Sequence, residues 1–279
     1  MEKIGIIAGR GNFPLLLARE ARSAGYGTMA IAVRGSTRRA LKKCVDKLSW
    51  IGVTEFSLII DMFKKENIRK VAMAGQINPY SLFNPKVMSN PEVQDFFGRI
   101  DDRRADTIFK AFAGRLQDGG LELLDSTLFL SKYLPADGVL SKRKPSSAEY
   151  GDIDFGFRLA SHLGSMDIGQ SVCVKNGVIL AVESIEGTDN AVRRAASLVN
   201  PAPYCCGTSS GIVLVKVSKP SQDMRFDVPV VGLNTVKHLP KNSCLAIQAG
   251  KTLFLNQNEA ICLADKKSIA VVAKGLPKL

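Results

Sequence analysis

The chain has 279 residues, 46% of them hydrophobic and 23% charged, with a formal net charge of +12. That length and balance exclude a disordered or fibrous chain and fit two domains of about 130 residues, each able to bury a core. The 38 Lys and Arg residues are scattered, Lys142-Arg143-Lys144 being the one short run, and one Trp with five Tyr gives little aromatic interleaving. Phosphorylated small molecules or anionic lipid head groups therefore fit the basic balance better than nucleic acid does.

Taken in order, Ile4 to Ala8 is an apolar strand, followed by the turn Gly9-Arg-Gly-Asn-Phe-Pro14 and a helical pattern from Leu15 to Ala24. Strand, glycine turn and helix open a nucleotide-binding βαβ unit, and Pro14 suits a helix's first turn. The dinucleotide fingerprint is incomplete, because Pro14 stands where the third glycine is expected. The next strand, Thr28 to Val33, ends at Arg34 rather than at an acid for a ribose diol. A plain NAD site is thereby disfavoured; Arg34 could meet the 2′-phosphate of NADP, meet another phosphate, or belong to a tight turn alone.

Glu55 to Glu66 reads as a helix, Lys70 to Ala74 as a strand running into Gly75-Gln-Ile-Asn-Pro79, Val93 to Asp118 as a helix, and Leu121 to Leu124 as a strand. Alternating β and α with short links implies a parallel sheet covered by helices, and such a sheet binds ligands at the carboxyl ends of its strands. Gly9, Gly11, Asn12, Arg34 and Gly75 fall at those ends.

Tyr133 to Ser147 lacks periodicity and is rich in Pro, Gly and Ser. It divides the chain into a domain over residues 1–133, a linker over 134–147 and a second α/β domain over 148–279. The second domain opens with a helix from Ala148 to His162. Strand-like runs follow at Ser171 to Val174, Val178 to Val182, Ile212 to Val217, Cys244 to Gln248, Thr252 to Leu255 and Ile269 to Ala273.

Two of these runs deliver polar clusters: Glu183, Glu186, Gly187, Thr188 and Asp189 after one, and Lys216, Lys219, Gln222, Asp223, Arg225 and Asp227 after the other. Carboxylates, fixed cations and a glycine turn on separate strand ends suit a metal-bound phosphate ester or anhydride, a solvated charged face being the plain alternative. Asp223 and Asp227 can share a metal if Met224-Arg225-Phe226 turns. Arg194, Lys216 and Lys219 are natural phosphate partners.

The six cysteines show no C-x-x-C pair and His162 and His238 no visible partner, so the thiols read as buried or incidental, with Cys205-Cys206 beside Gly207 the pair that stands out. With no leader pattern and no apolar stretch of about 18 residues, a cytoplasmic protein without a membrane span is expected.

Several motifs are familiar in combination: Ile4-Gly-Ile-Ile-Ala-Gly-Arg-Gly-Asn-Phe-Pro14, Asp167-Ile-Gly-Gln-Ser171, Ala181-Val-Glu-Ser-Ile-Glu-Gly-Thr-Asp189 with Arg193-Arg194, and Lys219-Pro-Ser-Gln-Asp-Met-Arg-Phe-Asp-Val-Pro229. In order and over essentially the whole chain they resemble the LpxI-type UDP-2,3-diacylglucosamine pyrophosphatases of lipid A biosynthesis. The first motif is weakly specific, whereas E-G-T-D followed by K-P-x-Q-D-x-R-x-D-x-P is highly specific.

The resemblance implies a Rossmann-like parallel-sheet domain at the N-terminus and a mixed α/β domain at the C-terminus, with the substrate between them. It implies hydrolysis to UMP and 2,3-diacylglucosamine 1-phosphate (lipid X) with magnesium or a similar divalent cation, water attacking the phosphorus on the sugar side. Asp227, the carboxylate of R-x-D-x-P, and Asp223 are the implied catalytic and metal-binding residues. Gly9, Gly11, Asn12, Gly75, Thr188, Asp189, Arg194, Lys216, Lys219 and Gln222 are expected on the substrate. A two-chain lipid substrate implies peripheral work at the cytoplasmic face of the inner membrane, with a homodimer left open. The linker Leu140-Ser-Lys-Arg-Lys-Pro145 and Arg10 depart from the family pattern. An NADP-dependent oxidoreductase and a non-enzymatic anionic-lipid module are the alternatives.

Overall fold

The computed structural model describes residues 1–77, 79–199, 211–220 and 222–275. Asn78 and the Cys205-Cys206 pair lie outside them. The chain divides into two compact units, Met1–Leu130 with Asp223–Asp227, and Ser131–Gln222 with Val228–Leu279.

The N-terminal unit runs β1 (Lys3–Ala8), α1 (Phe13–Ser23), β2 (Gly27–Val33), β3 (Lys47–Ile51), α2 (Leu58–Lys65), β4 (Lys70–Ala74), α3 (Pro85–Met88), α4 (Pro91–Phe97), α5 (Ala105–Asp118) and β5 (Glu122–Leu123). Its sheet is parallel throughout in the order β3-β2-β1-β4-β5. Every residue of β2 is buried, as continuous apolar runs must be in a sheet covered on both faces. Ile7, Ile31, Phe63, Met73 and Leu116 form part of the core beneath the helices. The order reverses between β1 and β4, the topological switch point where doubly wound sheets open a crevice.

Two local expectations differ. The helical pattern over 93–118 is broken: Gly98 closes α4, and the Asp102 carboxylate accepts the Arg104 N–H at 2.9 Å, a side-chain bond that competes with helix. The unexpected strand β3 lies at the sheet edge with Lys47 exposed and Leu48, Ser49 and Trp50 only half-buried, so its apolar signal is weak.

The C-terminal unit runs β6 (Gly138–Val139), α6 (Ser147–Ser165), β7 (Ser171–Lys175), β8 (Val178–Val182), α7 (Thr188–Val199), β9 (Val213–Lys216), β10 (Val230–Gly232), α8 (Leu233–His238), β11 (Cys244–Gln248), β12 (Leu253–Leu255), α9 (Gln257–Lys266) and β13 (Ala270–Lys274). Six strands form a mixed sheet, β6-β13-β11-β9-β7-β8, in which β13, β11 and β9 are parallel; β10 and β12 pair separately. Phe157 and Ala160 of α6 pack on Val172 and Val215. A second core joins α7, α8 and α9 to strand residues including Leu214 and Leu245.

The stretch read as a linker is largely built into this unit. Residues 138–139 form its edge strand, Leu140 N–H donates to Val271 O at 2.8 Å, and Arg143 forks onto both oxygens of Glu149 at 2.8 Å. Ser146 and Glu149 close a capping box on α6. Pro, Gly and Ser mark a two-residue strand and a helix cap as readily as a linker, so composition does not separate them. His238 ends α8.

Among the described cysteines, Cys44, Cys173 and Cys244 are buried free thiols and Cys262 is exposed; burial pushes the Cys173 thiol up to about 12. Among the described residues no helix is long and apolar enough to cross a membrane.

Candidate functional site

At the switch point the turns after β1 and β4 are clasped backbone to backbone. Gly9 N–H donates to Ala74 O at 2.8 Å, Arg10 N–H to Gln76 O at 2.7 Å, and Gln76 N–H to Arg10 O at 3.3 Å. A Cβ on Gly9 would stand 2.6 Å from Gln76 O, and one on Gly75, whose φ is +86°, 2.5 Å from Arg10 O. Close approach of two backbones therefore requires both glycines. It also commits the Arg10 and Gln76 N–H groups to each other's carbonyl oxygens rather than to a phosphate.

Gly11 has open space at its Cβ position, and Asn12 stands at the start of α1. The Asn12 side chain does not cap α1; its oxygen accepts from Arg38. Thr37 braces the same edge, donating to Ala8 O at 2.5 Å and accepting Val33 N–H at 3.0 Å. Arg34, the candidate for a 2′-phosphate, pairs instead with Glu55 at 3.2 Å, and Glu55 also accepts the Gly52 N–H at 2.6 Å.

The segment carrying Asp223 and Asp227 joins this unit. The sequence reading assigns it to the C-terminal domain, but Phe226 buries in the N-terminal core and stacks on Phe109, ring centroids 5.7 Å apart and planes at 20°. Ser126 ties it down: its N–H donates to Met224 O at 3.0 Å, and its hydroxyl lies 2.5 Å from Met73 O on β4 and 2.7 Å from Arg225 O. The segment turns, with Phe226 N–H and Asp227 N–H both reaching Asp223 O at 3.2 and 3.0 Å. The turn required for the two carboxylates to act together is present.

Asp223 is gripped by Arg225, Nε to Oδ1 at 3.0 Å, Nη2 to Oδ2 at 2.7 Å and backbone N–H to Oδ1 at 3.0 Å. The Arg225 side chain holds the Asp223 carboxyl below its ordinary range against the opposing effect of partial burial. A depressed native pKa means the pair is intact above the unfolded-state value and is lost as pH falls through the lower, folded value. A carboxyl-carbon NMR titration should find Asp223 ionised below the usual range, and Arg225→Ala should return it upward; an Asp223 midpoint indifferent to Arg225 would refute the pairing.

In the C-terminal unit the remaining motifs gather. Lys216 Nζ donates to Thr188 Oγ1 at 2.6 Å, Thr188 Oγ1 donates to Glu183 Oε1 at 2.8 Å, and Lys216 stands 3.6 Å from Glu183 Oε2. Glu183 Oε2 and Gln222 Nε2 are buried side-chain atoms without a hydrogen-bond partner. Gln222 Oε1 accepts Lys219 N–H at 2.6 Å, Lys219 Nζ pairs with Asp167 with both side chains nearly buried, and Val217 N–H reaches Gln170 O at 3.0 Å. Residues of Asp167 to Ser171, Glu183 to Thr188 and Lys216 to Lys219, together with Gln222, thus form one polar cluster. Gly187 takes φ +82° with nothing near a Cβ position, so positive φ is what its turn demands.

Asp189 and Arg194 are otherwise engaged. Asp189 accepts from Thr235 Oγ1 at 3.2 Å and lies 3.7 Å from His238, linking α7 to α8; Arg194 donates to Val182 O and Glu186, both at 2.8 Å. Sequence reasoning missed Ser126, whose Asp125-Ser-Thr setting reads as a turn, and Phe226, whose lone ring amid charges has no periodicity to reveal its burial.

Among the described residues no three His, Cys, Asp or Glu side chains group as a metal cage. Magnesium needs fewer protein ligands, taking one or two carboxylates plus substrate phosphate oxygens and water; the turn carries two carboxylates, of which Asp223 is already bonded by Arg225 through both oxygens.

Fold and site together define a two-part α/β protein with two aspartates in one turn near the carboxyl end of a central strand of a Rossmann-type sheet. Residues 3–133 match the model of the LpxI N-terminal domain and residues 136–272 that of the LpxI C-terminal domain; the chain belongs to the LpxI family. Over 277 residues it is 27% identical to the protein named UDP-2,3-diacylglucosamine pyrophosphatase LpxI of Caulobacter vibrioides, spanning 98% of this chain and 97% of that one. Among solved structures, the biotin carboxylase domain of Hydrogenobacter thermophilus 2-oxoglutarate carboxylase matches at 14% identity over 70% of this chain and 41% of that one, with a TM-score of 0.29. Leucoanthocyanidin reductase of Vitis vinifera with NADPH matches at 15% over 43% and 47%, with a TM-score of 0.26. The chain spans under half of either, and neither bears on activity.

Proposed function

We propose that this chain hydrolyses the pyrophosphate of UDP-2,3-diacylglucosamine to UMP and 2,3-diacylglucosamine 1-phosphate. The observation that carries the reading is the R-x-D-x-P segment of an LpxI-family chain held, with both carboxylates in one turn, beside the end of β4. Asp227 orients and deprotonates the water that attacks the phosphorus on the sugar side, and Asp223, in the same turn, is held in its ionised form by Arg225. Gly11 and Asn12 take the nucleotide side. Thr188 and Lys216, braced by Glu183, with Lys219 and Gln222 close to Lys216 in sequence, take the phosphate and glucosamine. Asp189 and Arg194 are weaker candidates because α7 and its neighbours already use them.

Asp227 and Asp223 would hold a magnesium-type ion, which when bound would act as a Lewis acid on the pyrophosphate oxygens. Purified protein incubated with UDP-2,3-diacylglucosamine should release UMP, and a chelator should stop it. No UMP at all would end the pyrophosphatase reading, whereas release indifferent to chelator would remove the metal alone.

The same reading has the protein work peripherally at the cytoplasmic face of the inner membrane. The +12 net charge supports a salt-sensitive attraction to anionic head groups. Flotation with anionic vesicles should weaken as salt rises, and salt-independent flotation would contradict it.

A further inference from the structure

We infer that Ser126 is the positioning residue for the Asp223–Asp227 carboxylates, fixing their turn against the carboxyl end of β4; this rests on the pyrophosphatase reading. Ser126 is completely buried and grips the segment by two atoms, its N–H on Met224 O at 3.0 Å and its hydroxyl between Met73 O at 2.5 Å and Arg225 O at 2.7 Å. One hydroxyl hydrogen facing two carbonyls links strand and segment, with Ser126 and Arg225 lying 99 residues apart in sequence.

Arg225 stands midway between the two acids, and the turn is closed by Phe226 N–H and Asp227 N–H on Asp223 O, so a shift of the Arg225 carbonyl carries both carboxylates with it. Phe226, stacked on Phe109, sets how deep the segment sits in the core; Ser126 sets its position along the strand end. Ser126 touches no reacting group in this arrangement and acts only through the segment.

The test compares full-length Ser126→Ala with Ser243→Ala. Ser243 is also completely buried, and its hydroxyl accepts the Ile212 N–H at 3.1 Å in the C-terminal unit, away from the proposed machinery. Ser126→Ala is expected to lower kcat for UDP-2,3-diacylglucosamine by about 10- to 100-fold with KM changed by less than about threefold. Trypsin should also cleave it faster after Arg225. Ser243→Ala should lose comparable thermal stability and keep kcat within about twofold.

Equal kcat losses in the two variants, or a loss in Ser126→Ala without faster cleavage at Arg225, would overturn the assignment. Should Ser126→Ala not fold, amide exchange in the wild type decides: the Ser126 N–H should be protected like those of β4, and exchange at exposed-loop rates would overturn the anchor. Absent turnover by the wild type removes the reaction and the positioning role together, an outcome distinct from turnover that Ser126→Ala leaves intact.

Discussion

Asp227→Ala should lower UMP release by about a thousandfold or more while the protein stays folded. Much of the segment's hold on the N-terminal unit comes from groups other than the Asp227 side chain. Phe226 fills the core, Ser126 bonds Met224 and Arg225 through their backbones, and the turn closes on Asp223 O through main-chain N–H groups. Alanine keeps all of these and removes the carboxylate proposed to orient the water or a bound ion, an interaction that matters most in the transition state. The loss should therefore appear in kcat, with thermal melting close to wild type. Asp223→Ala should be less clean, because it also releases Arg225. A folded Asp227→Ala protein that keeps wild-type release would take Asp227 out of the reaction.

The parallel sheet was legible from Ile4 to Ala8, Thr28 to Val33 and Lys70 to Ala74, whose unbroken apolar character has few other uses in a chain of this charge. The edge strand at Lys47–Ile51 was not, because an edge tolerates polar, half-exposed residues and dilutes the pattern. In the site, the glycines were legible as turn residues, but not that Gly9 and Gly75 allow the turns after β1 and β4 to approach backbone to backbone. Lys216 and Thr188 were read as neighbours in function, and they are hydrogen-bonded. Which unit Asp223 and Asp227 join was hidden, since a five-residue excursion is decided by one buried ring and one serine far away in sequence, neither of which leaves a periodic signal.

A C-terminal fragment should show the consequence of that excursion. Residues 148–279 expressed alone should release essentially no UMP, and the structure gives two separable reasons. The fragment lacks β6, the Arg143 fork on Glu149 and the Ser146 cap of α6, so α6 begins without its capping box, a loss of about 1 kcal/mol. A longer fragment, residues 131–279, restores all three and should melt at a higher temperature. It should remain as inactive as the shorter one, because Asp223–Asp227 there has neither Phe109 to stack on nor Ser126 to bond, and Phe226 would be left without its core. Stability would then separate the two fragments while activity would not. Turnover by residues 131–279 at the full-length rate would mean that the N-terminal unit does not organise these carboxylates, and the roles given to Ser126 and Phe226 would have to be withdrawn.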